Sequence, residues 1–210
     1  MGMEITAVKI CEKNKERSNI FIDGQFACAL FHETIVNNNL KPGVQVDTQT
    51  LQAIRLEDSE KYAFSVALKY VATKVRSRME IEKKLYDKGL DEIVVEAAIE
   101  KLAEYGYVDD EQYAALLVEE YGNRYGKRVL KQKLKEKGIA EEIVVQTLEA
   151  MAGEKTALLD LMKKYAYKTR NDEPQKRRQK VVRALLAKGF EYDDIKRVYN
   201  RVIENENGDY

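Results

Sequence analysis

The stretch that decides the fold is Gly126-Lys127-Arg128-Val129-Leu130-Lys131-Gln132-Lys133-Leu134-Lys135-Glu136-Lys137-Gly138-Ile139. Leu130 and Leu134 stand four apart among lysines, as on one face of a helix, and the pattern stops at a glycine followed by an apolar residue. The same ending occurs twice more, as Lys88-Gly89-Leu90 and Lys188-Gly189-Phe190, at spacings of 49 and 51 residues. Four residues before each glycine stands Leu85, Leu134 or Leu185; eight before it, Ile81, Leu130 or Val181; eleven before it, Arg78, Lys127 or Arg178. Downstream, Val95, Val144 and Ile195 align, then Ile99, Leu148 and Tyr199, then Leu102, Met151 and Val202. So many coincidences in two independent comparisons mark three copies of one unit.

Each copy reads as three helices, which in the first run about Glu60 to Val75, Ser77 to Lys88 and Glu92 to Tyr105. The glycine after each second helix suits a left-handed C-terminal cap, completed by the apolar residue next to it. Asp109 with Gln112 resembles a capping box opening the second copy. Arg170 to Pro174 reads as a loop inside the third, because proline breaks a helix interior. Gly106, Gly122 and Gly126 read as scattered helix punctuation. Each helix has one apolar stripe, so the copies are expected to stack into an elongated, curved array.

The first fifty or so residues differ, and from about Asp47 onward the pattern is helical to the end. Ile5 to Cys11 and Asn19 to Asp23 alternate with strand period, Asp23-Gly24 signals a hairpin turn into Gln25 to Leu30, and a short helix about His32 to Asn38 precedes a Lys41-Pro42-Gly43 turn and a brief Val44 to Val46 strand. Strands this short bury little, so the module is expected to lean on the helical part of the chain. The expected fold class is mainly α: a tandem array of three three-helix, helix-turn-helix-like repeats preceded by a small N-terminal α+β module with a β-hairpin. The boundaries are 1–50, 51–107, 108–152 and 153–210.

A chain of 210 residues with 44% hydrophobic residues builds ordinary cores. No run approaches the roughly 18 apolar residues of a membrane span, and Met1-Gly2-Met3-Glu4 lacks the basic-then-apolar start of an export signal. A soluble cytoplasmic protein without membrane contact is expected, with Cys11 and Cys28 reduced and buried. His32 is the single histidine and falls at a helix start, so no metal or other cofactor is expected. The phosphate-loop, dinucleotide and nucleophile-elbow patterns are missing, and Asp109-Asp110 suits the positive end of a helix dipole better than acid-base chemistry. No catalytic residue is proposed.

Charge sums to zero, 36 bases against 36 acids, but it is segregated. Arg124 to Lys137 holds seven bases and one acid, Lys163 to Lys188 ten bases and two acids, and Asp91 to Glu120 ten acids and one base. A neutral total with separate basic and acidic surfaces suits a protein that meets both nucleic acid and another protein. The candidate binding residues are the bases of the three second helices: Arg76, Arg78, Lys83 and Lys84; Arg124, Lys127, Arg128 and Lys131; Lys176, Arg177, Arg178, Lys180 and Arg183. Exposed helix faces are ordinarily basic, but several cations at regular spacing also match what phosphate neutralisation needs. The 13 tyrosines offer base-stacking platforms, although their positions near the apolar stripes favour packing between helices.

Arg76-Ser77-Arg78-x-Glu80 before Leu85-x-x-Lys88-Gly89, then Gly106-Tyr107-Val108-Asp109-Asp110-x-x-Tyr113-Ala114, then Gly126-Lys127-x-x-Leu130-x-x-x-Leu134-x-x-Lys137-Gly138-Ile139, closely resemble the RecX family. The resemblance covers roughly residues 57 to 205. It implies tandem three-helix units, no catalysis, binding along the groove of the RecA filament with inhibition of its ATP hydrolysis and strand exchange, and direct affinity for single- and double-stranded DNA. Basic faces would then meet DNA or acidic RecA surfaces, and the acidic stretch basic ones. A monomer is expected. The third copy departs from the pattern, with Arg177 where Gly126 stands in the second, and the N-terminal module lies outside the minimal pattern. Two rival readings are a helix-turn-helix transcription regulator and a helical scaffold with no nucleic-acid role.

Overall fold

The computed structural model describes residues 2–207, and side chains as far as Val202. Four strands, β1 (Met3–Ile10), β2 (Arg17–Ile22), β3 (Gln25–Phe31) and β4 (Gln45–Val46), form one sheet in the order β3-β2-β1-β4. Ten helices accompany them among the described residues: α1 (His32–Asn37), α2 (Thr48–Val71), α3 (Arg78–Tyr86), α4 (Glu92–Glu104), α5 (Asp110–Tyr121), α6 (Lys127–Glu136), α7 (Glu141–Ala150), α8 (Glu154–Lys168), α9 (Pro174–Ala187) and α10 (Tyr192–Asn207). The chain divides into two compact bodies: up to Val75 with Ile81–Val108, and Arg76–Glu80 with the chain from Asp109 onward.

In the first body the hairpin at Asp23-Gly24 forms as expected, with positive φ at both residues and antiparallel β2–β3 pairing. The module does lean on α2. Ile5, Ile20, Leu30 and Val46 share a core with Ile54 of that helix, which starts at Thr48, where the helical pattern is expected to begin, and so runs twelve residues ahead of the Glu60 expected to open the first three-helix copy. Asp47 caps it, accepting the Thr50 N–H at 2.8 Å, and its N-terminal half packs on the sheet. Asp58 of that half is buried, holds Arg17 at 2.6 Å and accepts the Phe31 N–H at 2.7 Å, while the Arg17 guanidinium lies over the rings of Phe31 and Tyr62. His32 reaches Ser18 through Nε2 at 3.0 Å. Cys28 is buried in the sheet core, and burial pushes its thiol pKa up; Cys11, expected to be buried, is only partly so and bonds Asn19.

The repeat stripe is the core of each three-helix set. Ile81, Leu85, Leu130, Leu134, Val181 and Leu185 are all fully buried, and Val95, Val144 and Ile195 nearly or fully so. The stop signals work as expected: Gly138 and Gly189 have φ of 75° and 90°, and Ile139 and Phe190 bond back to the carbonyls of Leu134 and Leu185. Asp109 caps α5 at 2.9 Å from the Gln112 nitrogen. Pro174 opens α9 at its first turn, where a missing N–H costs nothing.

Candidate binding surface on the second helices

The first turn of a helix leaves backbone N–H groups without partners, and the last turn leaves carbonyls. At the start of α6 these are matched to one another. Gly126 N–H donates to Lys188 C=O at 2.9 Å and Arg128 N–H to Gly189 C=O at 3.3 Å, so the C-terminal end of α9 closes the N-terminal end of α6. Between them, the Lys127 N–H donates to the Glu154 carboxylate of α8 at 2.9 Å. Positive and negative dipole ends meet, which is favourable. Such an approach requires glycine on both sides: a Cβ at Gly126 would stand 2.4 Å from the Gly189 oxygen, and one at Gly189 2.6 Å from the Val129 nitrogen. Gly126 is therefore a contact point, where its sequence context reads as punctuation.

Residues 76–80, in the same body, repeat the carboxylate contact of this arrangement. The Arg78 N–H donates to Asp110 of α5 at 2.9 Å, as the Lys127 N–H does to Glu154 of α8. The C-terminal end of α6 meets this turn through Lys137, whose Nζ lies 2.7 Å from Glu80, and through Gly138, packed on Met79. Ser77 and Glu80 cap each other: Ser77 Oγ accepts the Glu80 N–H at 3.3 Å, and the Glu80 carboxylate accepts the Ser77 N–H at 3.2 Å. Tyr113 donates its hydroxyl to Glu80 as well. Burial raises the Glu80 pKa, but Lys137, the Ser77 N–H and Tyr113 outweigh it and hold it below the ordinary carboxylate range. Burial and that carboxylate push Tyr113 up to about 12.

These contacts sort the sequence candidates. Lys127 pairs with Glu154 at 3.8 Å, Arg128 donates to the Leu186 carbonyl, Lys131 pairs with Glu141 at 2.5 Å, Arg177 donates to the Ala166 carbonyl at 3.1 Å, and Lys180 pairs with Asp172 at 2.8 Å. Arg76 and Arg78 are half-buried and engaged. Lys84 lies over Tyr70 and Arg178 over Tyr199. Lys83, Arg124, Lys176 and Arg183 are exposed and carry no ion pair among the described residues. Tyrosine faces near the bases are taken by cations: Lys133 lies 5.0 Å from Tyr121 and Lys188 4.5 Å from Tyr125. Arg177, in place of a glycine, sits inside α9, which begins three residues earlier. The sequence does not single out Glu80, Lys137, Met79, Gly138 and Glu154 as junction residues; Ser77-x-x-Glu80, a capping-box pattern, is a local signal that marks the turn where the first four meet.

The described domains match four family patterns: "Regulatory protein RecX N-terminal domain" over residues 3–47, and the first, second and third RecX three-helix domains over 63–102, 109–148 and 154–199. The Regulatory protein RecX of Clostridium tetani is 32% identical over 207 residues, covering 97% of this chain and 96% of that protein. The chain belongs to the RecX family. RecX of Clostridium acetobutylicum is 31% identical over 209 residues, 97% of this chain and 98% of its own. A crystal structure of regulatory protein RecX superposes with a TM-score of 0.70 at 27% identity, covering 94% of this chain and 99% of that one. RecX from Lactobacillus salivarius gives 0.65 at 28% identity over 69% and 97%. In this RecX chain, the acids that cap the second helices, Asp110 and Glu154, stand at the beginnings of the second and third matched domains.

Proposed function

We propose that this regulatory protein binds along a RecA–DNA filament in the bacterial cytoplasm and restrains its ATP hydrolysis and strand exchange, without chemistry of its own. The observation that carries the reading is the junction repeated in the second body. One carboxylate-to-N–H contact, at 2.9 Å both times, sets α3's first turn against α5 and α6's first turn against α8. One contact used at two helix starts gives those starts like chemistry, and a helical filament presents similar surfaces along its groove. Modest contacts made several times then add through effective concentration. Binding one filament state biases the filament's equilibrium against the motions that exchange needs.

Among the candidate bases, Lys83, Arg124, Lys176 and Arg183 are exposed and carry no ion pair among the described residues, which supports direct contact with single- and double-stranded DNA. No described helix is long and apolar enough to cross a membrane. The test is ATP hydrolysis by the cognate RecA on single-stranded DNA, with this protein titrated to equimolar. A progressive fall is expected. An unchanged rate sinks the proposal, and a defined footprint on duplex DNA would then favour a transcription regulator.

A further inference from the structure

In the second body, α5, α7 and α8 enclose a groove of about 810 Å³. Buried or half-buried Val118, Ile143 and Met151 supply apolar lining, and Glu111, Glu119 and Asp160 line it as exposed acids. None of the lining residues is lysine or arginine, although basic residues crowd α6 and α9. The three carboxylates have no ion pair among the described residues. A concave apolar surface with one sign of charge, on a chain of zero net charge, repels phosphate and attracts cations.

We propose that this groove docks a protein segment presenting apolar side chains flanked by lysine or arginine, and that the segment lies on the protein face of the filament. The inference rests on the functional reading above and adds a division of labour to it. Basic second helices meet phosphate, while the acidic groove meets protein. A segment of that kind, most simply one helix, places its apolar residues on Ile143 and Met151 and its cations near Glu111, Glu119 and Asp160. The apolar contacts hold it and the charges set its orientation.

Two variants of the full chain test this, both at exposed lining positions: Glu119→Lys with Asp160→Lys, and the uncharged Ala150→Trp, which fills the groove. Affinity is measured for RecA filaments assembled on single-stranded DNA and for the same DNA naked. The expected result is filament binding weakened about tenfold or more by each variant, with naked-DNA binding retained by Ala150→Trp and retained or tightened by the charge reversal. Filament binding equal to wild type in both variants overturns the groove assignment alone, as does a parallel loss on naked DNA. Wild-type protein that fails to bind filaments overturns the functional reading, and the groove assignment with it.

Discussion

Asp110 accepts the backbone N–H of Arg78 at 2.9 Å, so α3 receives its cap from α5, thirty-two residues further along the chain. A cap of this kind contributes both to the helix and to the docking of the two elements. Asp110→Ala is expected to lower stability by about 1 kcal/mol, read as a shift of the urea midpoint. Glu154→Ala should act alike at α6. Midpoints unchanged in both variants would remove the junction from the account of stability.

Gly126→Ala tests the close approach. The added Cβ meets the Gly189 carbonyl, which is backbone and cannot swing aside. The expected cost is about 1–3 kcal/mol, with faster amide exchange at Gly126 and Arg128, whose partners lie at the end of α9. Wild-type protection at those amides refutes it.

Glu80 makes stability depend on pH in a defined direction. Its folded pKa lies below the ordinary value of 4.5, so its contribution is complete above about 4.5 and is lost as pH falls through the folded value. Glu80→Gln is expected to flatten the acid limb of a stability-against-pH curve, and Lys137→Met to flatten it in part. Parallel acid limbs for wild type and Glu80→Gln would show that the carboxylate does not titrate against folding.

In the first body, Asp58→Ala strands Arg17 between two rings with its charge unmatched. Breaking a buried pair from one side costs about 3–5 kcal/mol. The expected outcome is a large loss in the urea midpoint, with the sheet residues losing amide protection first; a loss confined to the surface range of about 0.5 kcal/mol would contradict it.

Phosphate contact is expected from Lys176 and Arg183, whose ammonium and guanidinium groups are exposed. Replacing both with glutamine should lower the slope of log affinity against log salt on single-stranded DNA by about 1–2. Lys127→Gln, which breaks a pair with Glu154, should instead act on stability. An unchanged slope in the double variant would place DNA elsewhere.

The repeat and its core were legible because an apolar stripe and a glycine stop are local signals: Leu130, Leu134 and Gly138 lie within nine positions. The helical pattern from about Asp47 matches α2, which Asp47 caps, but the N-terminal half of that helix was not legible as part of the first repeat's opening helix, because Asp58, an acid at a buried position, breaks the stripe there and is matched by Arg17 from another element. The same limit applies to the bases. Arg128 and Lys127 look alike in sequence, yet one donates to Leu186 and the other pairs with Glu154, partners 58 and 27 positions away. No periodicity records which lysine is employed inside the molecule and which faces solvent.

The direction of capping also orders events as the chain is made. α6 finds partners for its first amides on Glu154, Lys188 and Gly189, all synthesised after it, whereas α9 carries its own proline at its start. A polypeptide leaving the ribosome therefore holds α6 with bare donors until the segment through Gly189 has emerged, and each repeat that has a successor is finished by it. Stop codons before Glu154 would leave a second repeat that has every residue of its own core and still lacks the groups that seal its middle helix.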